Sequence, residues 1–111
     1  MKIPESIRIG GVEYEIQYKD NLRDGNRLLY GQINYDDSII YLSTTDGTGR
    51  QHMCITLLHE ILHGIREHAG FEIEDEEKVV DILSKGLYQV LQDNGQRLFD
   101  IAERREENAT N

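Results

Sequence analysis

The sequence has little of several residue types, and each shortage bears on the class of protein. One cysteine and one proline occur among 111 residues, and there is no tryptophan. The single thiol of Cys54 cannot form an internal disulfide, so nothing marks an oxidising compartment. Uncharged apolar runs are far shorter than the ~20 residues of a membrane-spanning helix. The opening "MKIPESIRIGG" lacks the apolar segment of a secretory signal. We therefore expect a cytoplasmic protein without membrane contact.

Positive charge is also scarce. The chain has 12 lysines and arginines against 21 aspartates and glutamates, which gives a formal net charge of -9. An acidic protein repels phosphate backbones, so nucleic acid is a poor partner, and an anionic membrane surface is disfavoured for the same reason. The hydrophobic residues, 38% of the total, are spread along the chain. This length and composition predict one globular domain with a single modest core.

The first half of the chain has the alternation of strands. In "SIRIGGVEYEIQY", apolar residues alternate on both sides of Gly10-Gly11, which is typical of a hairpin. "LLYGQINY" and "SIIYLST" flank Asp36-Asp37 and predict a second hairpin. The polar segment "KDNLRDGNR" between the two hairpins is predicted to be a loop.

The second half has the period of helices. Thr48 to Gln51 matches a capping box. Apolar residues then recur at helical spacing up to Gly70, a plausible C-terminal stop. A second helix is expected from about Asp75, with Asn94-Gly95 ending or kinking it. "QRLFDIAERR" then forms a short last helix, and "EENATN" a disordered tail.

The predicted fold is α+β, with a small antiparallel sheet of two hairpins followed by two packed helices. Residues 1–94 form the single domain of this prediction. Residues 95–111 form its C-terminal short helix and tail.

The motif "HEILH", residues 59–63, carries the clearest chemistry. His59 and His63 are four residues apart, so on a helix they lie on one face about 6 Å apart along the axis. Zinc accepts neutral imidazole nitrogens at about 2.0–2.1 Å, and both rings can aim at one ion. Glu60 lies beside the first histidine, where its carboxylate can take a proton from a zinc-bound water.

The same motif can arise by chance in an ordinary helix whose histidines are half exposed. The flanking residues favour the metal interpretation, because Glu60 is the only acidic or basic residue between His52 and Arg66 apart from His59 and His63 themselves. A solvated helix face would carry lysine or arginine in such a stretch. A buried helix with these polar groups needs something to satisfy them, and a metal ion does so.

A hydrolytic zinc site normally has three protein ligands, so a third must be found. His68 does not fit the longer motif HExxHxxGxxH, because Arg66 and Ala69 occupy its glycine and final histidine positions. His68 is better explained as a helix-end residue, where positive charge is favourable. His52 lies two turns before His59, too far for the same ion.

The second helix offers carboxylates instead. Glu77 and Asp81 are four residues apart on one face, so Glu77 can ligate zinc while Asp81 accepts the free ring N–H of a ligating histidine. Glu76 is the rival ligand, because it lies in line with the apolar stripe of that helix. Most other acids of "EIEDEEKVVDIL" are expected to form a solvated helix start.

The sequence indicates the residues that would contact a substrate less clearly than it indicates the metal ligands. Four tyrosines are candidates for polarising a scissile carbonyl, although each is more often a packing residue: Tyr30, Tyr35, Tyr41 and Tyr88. The strand "DSIIYLST" precedes the zinc helix, and its edge could hold an extended peptide by strand addition.

These motifs resemble known families. "TLLHEILHGI" followed by "EKVVDIL" resembles the gluzincin zinc metallopeptidases, which pair HExxH with Glu-x-x-x-Asp on the next helix. The resemblance implies zinc on His59, His63 and Glu77, with Glu60 as the base and Asp81 behind a ligand.

Residues 1 to about 94 also resemble small phage and prophage proteins of Gram-positive bacteria, through "KIP", "YGQINY", the HExxH motif and "LSKGLYQVL". Those proteins are described as metallopeptidases akin to a minimal ImmA/IrrE-type core. This resemblance implies a minimal zincin-like fold in the host cytoplasm. The chain departs from larger gluzincins in having a short segment between His63 and Glu77 and no second domain.

The leading hypothesis is a zinc-dependent metallopeptidase that acts on a peptide or protein substrate. One alternative is a binding module in which zinc only ties two helices together. Another is a phage accessory protein that acts on a host partner through its acidic surface. Glu60 separates the first two, because a structural zinc site has no use for a base beside its ligands.

Overall fold

The computed structural model describes residues 2–45 and 49–103. Six strands precede two helices in this part of the chain: β1 Ser6–Ile9, β2 Val12–Lys19, β3 Arg23–Asp24, β4 Arg27–Leu28, β5 Gly31–Asn34, β6 Ile39–Ser43, α1 Arg50–Ala69 and α2 Glu76–Ala102. The predicted α+β class, a small sheet followed by two helices, is confirmed.

Both predicted hairpins are present. Strands β1 and β2 pair in antiparallel fashion through a turn at Gly10 and Gly11, whose φ angles of 58° and 83° are costly for other residues. Strands β5 and β6 form the second antiparallel pair, with Ile33 opposite Ile40. The local alternation of the sequence was therefore sufficient to locate these pairs.

The four-stranded sheet is mixed, so the prediction of an antiparallel sheet is wrong. The strand order is β1-β2-β6-β5, and β2 pairs with β6 in parallel, with Ile16 opposite Ile40. The short β3–β4 pair lies in the segment predicted to be a loop and extends one residue beyond it, to Leu28. Because β6 is paired on both sides, "DSIIYLST" is not an edge strand. The two edges of the sheet are β1 and β5, and β5 is the edge strand next to β6.

Helix α1 packs on one face of this sheet. The buried cluster is made by Ile9, Tyr14, Ile16, Ile40, Leu42 and Leu57. Gly64, directly after the HExxH motif, lies so close to the sheet that an added Cβ would be 3.1 Å from side-chain atoms of Ile9 and Ile33. Tyr14 and His68 share a hydrogen bond of 2.7 Å that joins the end of α1 to β2. His68 therefore has a hydrogen-bond partner at the C-terminal end of α1.

The ends of α1 follow the sequence signals in part. The helix ends at Gly70, whose φ of 76° and ψ of 27° are left-handed, as predicted. Its N-terminal cap is Gly49. Thr48, which the capping-box prediction placed there, lies outside the described residues.

Helix α2 begins one residue after Asp75, as expected, but it does not end at Asn94-Gly95. It continues to Ala102 as one helix, so the predicted separate last helix is wrong. The Asn94 side-chain amide donates to the Val90 carbonyl at 3.0 Å, which keeps this residue within the helical pattern. The predicted disordered tail lies outside the described residues. No described helix is long and apolar enough to cross a bilayer.

Candidate metal centre

Three groups from two helices meet at one point. The Nε2 atom of His59 lies 2.8 Å from one oxygen of Glu77, and the Nε2 atom of His63 lies 2.9 Å from the other. The two Nε2 atoms are 3.1 Å apart. Ligands held about 2.0–2.1 Å from one tetrahedral zinc ion lie about 3.3 Å from each other. The observed spacings are close to this value, so the three groups are compatible with a metal site.

The outer nitrogens of both histidines face carboxylates on α2. His63 Nδ1 lies 2.6 Å from Glu76 Oε2. His59 Nδ1 lies 3.8 Å from Asp81 Oδ1, while Lys85 contacts the other Asp81 oxygen at 3.1 Å. Asp81, which was expected to accept the ring N–H of a ligating histidine, thus lies behind His59 but beyond hydrogen-bond distance. A carboxylate behind a ring favours the proton on Nδ1 and leaves the lone pair of Nε2 free for a ligand.

Glu76, weighed from the sequence as a rival ligand, points to the far side of His63. Its pKa is lowered, first by the hydrogen bond from His63 and further by Arg66. The Arg66 Nε atom lies 2.7 Å from Glu76 Oε1. No sequence motif pointed to a role for Arg66, although its position three residues after His63 places it on the same helix face.

Glu60 is buried beside this centre, with 7% of its surface exposed. Its carboxylate accepts a hydrogen bond from the backbone N–H of Ile33 on the edge strand. Burial raises the pKa of Glu60 to about 7, and the negative charge of Glu77 adds to the rise, while His63 and the Ile33 hydrogen bond oppose it. A carboxylate with such a pKa can accept and release a proton near neutral pH.

A change of Glu60 to glutamine is expected to alter the pH dependence of stability in chelator-treated protein. Because the folded-state pKa is raised to about 7 from 4.5, the protonated carboxyl stabilises the fold below pH 4.5, and this stability is lost as pH rises through 7. Glutamine is neutral throughout. The difference in melting temperature, variant minus wild type, should therefore grow from pH 5 to pH 8 in thermal unfolding. A constant difference would contradict the assigned cause.

A cleft runs beside the three converging groups. It is bounded by residues 27–31, by one face of α1 and by the start of α2. Among the four candidate tyrosines, Tyr30 lines this cleft, and its ring makes an edge contact with the ring of His52 at 4.5 Å. Tyr35 instead packs against the core, and burial raises its pKa to about 12. Tyr41 and Tyr88 do not line the cleft.

Gly31 allows the edge strand to approach α1. An added Cβ would lie 2.5 Å from Thr56 Cγ2 and 3.3 Å from Glu60 Oε2. Gly31→Ala is therefore expected to destabilise the fold by about 1–3 kcal/mol through overpacking. Gly86→Ala is the matched control, because an added Cβ there meets no atom within 4 Å.

The space around Gly86 is open, so an alanine there disturbs no packing of the helix. Alanine in a helix should stabilise by up to ~1 kcal/mol relative to glycine. Urea unfolding of both variants measures the contrast. Equal effects would contradict the close approach of β5 to α1.

Comparisons of the chain with protein-family models, with curated proteins and with solved structures each find no match. The resemblance to gluzincins and to ImmA/IrrE-type proteins therefore stays a prediction.

Proposed function

We propose that this protein is a zinc-dependent metallopeptidase, a minimal relative of the gluzincins. The observation that carries the proposal is the meeting of His59, His63 and Glu77 beside a buried glutamate. Their ligand atoms all lie within 4.8 Å of one another. Two imidazoles and one carboxylate match the ligand set of hydrolytic zinc, which keeps a fourth position open. When bound, zinc lowers the pKa of a coordinated water and polarises a carbonyl oxygen.

The edge strand β5 can hold the substrate. The Tyr30 carbonyl accepts a hydrogen bond from the Ser43 N–H at 2.8 Å, and Gln32 lies opposite Tyr41. Because hydrogen-bonded and non-hydrogen-bonded pairs alternate in antiparallel sheets, the backbone groups of Gly31 and Ile33 point away from β6. An extended peptide can add as a further strand to the backbone groups of Gly31 and to the Ile33 carbonyl, whereas the Ile33 N–H is donated to Glu60. In this proposal the substrate pairs with β5 rather than with β6.

Glu60 supplies the proton transfer in this proposal. Its carboxylate accepts a proton from the attacking water, whose oxygen bonds to the scissile carbonyl carbon. The same carboxyl group then gives the proton to the departing amine nitrogen as the C–N bond breaks. The hydrogen bond from Ile33 fixes Glu60 against the strand that would hold the peptide.

The same glutamate weighs against a binding module that uses zinc only to join α1 and α2. A structural zinc site is closed by four protein ligands and needs no base. A carboxylate left buried there without a chemical role would cost free energy.

The proposal is tested with wild-type protein loaded with zinc and a broad peptide library read by mass spectrometry. We expect cleavage that a chelator abolishes and that added zinc restores. A zinc-loaded protein that cleaves no library peptide would contradict the peptidase activity. Retained zinc in the absence of cleavage would favour the binding module.

A further inference from the structure

The Arg66 side chain joins three parts of the chain next to the metal centre. Its Nε atom lies 2.7 Å from Glu76 Oε1, and the two side chains expose only 15% and 22% of their surface. The guanidinium also contacts Glu67 at 2.9 Å and the Phe71 carbonyl at 3.5 Å. Arg66 thereby ties the end of α1 and the connecting segment to the first turn of α2.

Glu76 is held between Arg66 and a proposed zinc ligand. One of its oxygens forms an ion pair with Arg66, and the other lies 2.6 Å from His63 Nδ1. Ionised carboxylates only accept hydrogen bonds, and one faces each ring nitrogen of His63. Glu76 is the nearer, at 2.6 Å from Nδ1 against 2.9 Å from Nε2 to Glu77, so we assign the proton of a neutral ring to Nδ1. The lone pair of His63 Nε2 is then free to bind an ion. This atom lies 3.1 Å from His59 Nε2 and 2.9 Å from Glu77 Oε2, so the three groups can share that ion.

We propose that Arg66 and Glu76 are positioning residues of the metal centre. Glu76 fixes which nitrogen of His63 faces the cleft, and Arg66 holds Glu76 in place. This inference rests on the proposed zinc site, and it makes zinc affinity depend on a residue that does not touch the ion.

The two ligating histidines are not held equally. Asp81 lies 3.8 Å from His59 Nδ1 and is engaged by Lys85, whereas Glu76 contacts His63 at 2.6 Å. The short contact between Glu76 and His63 has the length of a strong, charge-assisted hydrogen bond, and the contact between Asp81 and His59 does not. Removing Glu76 should therefore weaken zinc binding more than Asp81→Asn does.

Zinc affinity, measured by competition with a chromophoric chelator, is the first test. Glu76→Leu should weaken binding about 10–100-fold. Glu76→Gln should recover part of the loss, because its amide oxygen still accepts from Nδ1–H. Arg66→Met should weaken binding in the wild-type background but add little to Glu76→Leu. Glu67→Gln, which removes another charge partner of Arg66, is the control and should match wild type.

Three results of this competition would overturn the inference. The first is an unchanged affinity in Glu76→Leu, and the second is an Arg66→Met effect of equal size in both backgrounds. The third is a loss in Glu76→Gln as complete as in Glu77→Gln, because Glu76 would then be a ligand. Circular dichroism of each variant checks that the helices are retained.

A second readout does not require zinc. Nitrogen-15 NMR of zinc-free protein, at a pH where the rings are neutral, reports which His63 nitrogen carries the proton. We expect Nδ1–H in wild type and a mixture of the two tautomers in Glu76→Leu. The same spectrum in both proteins would overturn the positioning role even if wild type binds zinc. If wild type binds no zinc, the proposed function fails, and the tautomer still decides the role of Glu76.

Discussion

Replacement of His59 or His63 by alanine is expected to abolish stoichiometric zinc binding, whereas wild type should bind about one ion per chain. Each histidine supplies one of the three ligand atoms that lie together among the described residues. Losing a ligand should therefore reduce affinity by more than the ~10–100-fold typical of outer contacts. Metal content is measured by elemental analysis of protein purified without a chelator or a histidine tag.

The other two histidines are the matched controls for this experiment. His52 packs against Tyr30 and His68 bonds to Tyr14, so His52→Ala and His68→Ala should keep full zinc content. Added zinc should also raise the melting temperature of wild type and of these controls, because a ligand that binds only the folded state stabilises it. Full zinc content in a His59→Ala/His63→Ala double variant would refute the assigned centre.

Glu60→Gln is expected to retain zinc and lose peptide hydrolysis. Glu60 is not among the three converging groups, whereas its buried carboxylate is placed to move a proton. A positioned base contributes about 10²–10⁴-fold to a rate, so the loss should fall in that range. Wild type and variant are compared on the same cleaved peptides, with and without chelator, after zinc content is matched.

Glu67→Gln provides the control for the loss of one negative charge on the same helix. Glu67 contacts Arg66 on the surface and should leave hydrolysis unchanged. If Glu60→Gln cleaves as fast as wild type, Glu60 is not the base. If it loses zinc, the glutamate contributes to metal binding instead.

Local sequence patterns predicted the two hairpins and the helix that carries HExxH. Strand alternation, the Gly10-Gly11 turn and the spacing of His59 and His63 are all set by neighbours within a few residues. The mixed sheet was missed for a different reason. Whether β6 pairs with β2 or lies at an edge depends on contacts between distant segments, and alternation is the same in both cases.

The helix end predicted at Asn94-Gly95 is not observed, because an asparagine and a glycine are weak signals for ending a helix. Glycine in a helix costs only about 1 kcal/mol relative to alanine, and Asn94 bonds back to the helix backbone. A helix can contain both residues when its other residues favour the helical conformation.

The sequence by itself determined that two histidines and a glutamate share one helix, and that carboxylates follow on the next. Only the tertiary structure decided what each carboxylate contacts. Glu76 and Glu77 are adjacent, so on a helix they point about 100° apart. The rotation of α2 against α1 turns Glu77 towards both Nε2 atoms and Glu76 behind His63, where Arg66 meets it. That rotation is set by packing between the helices, which no local pattern records.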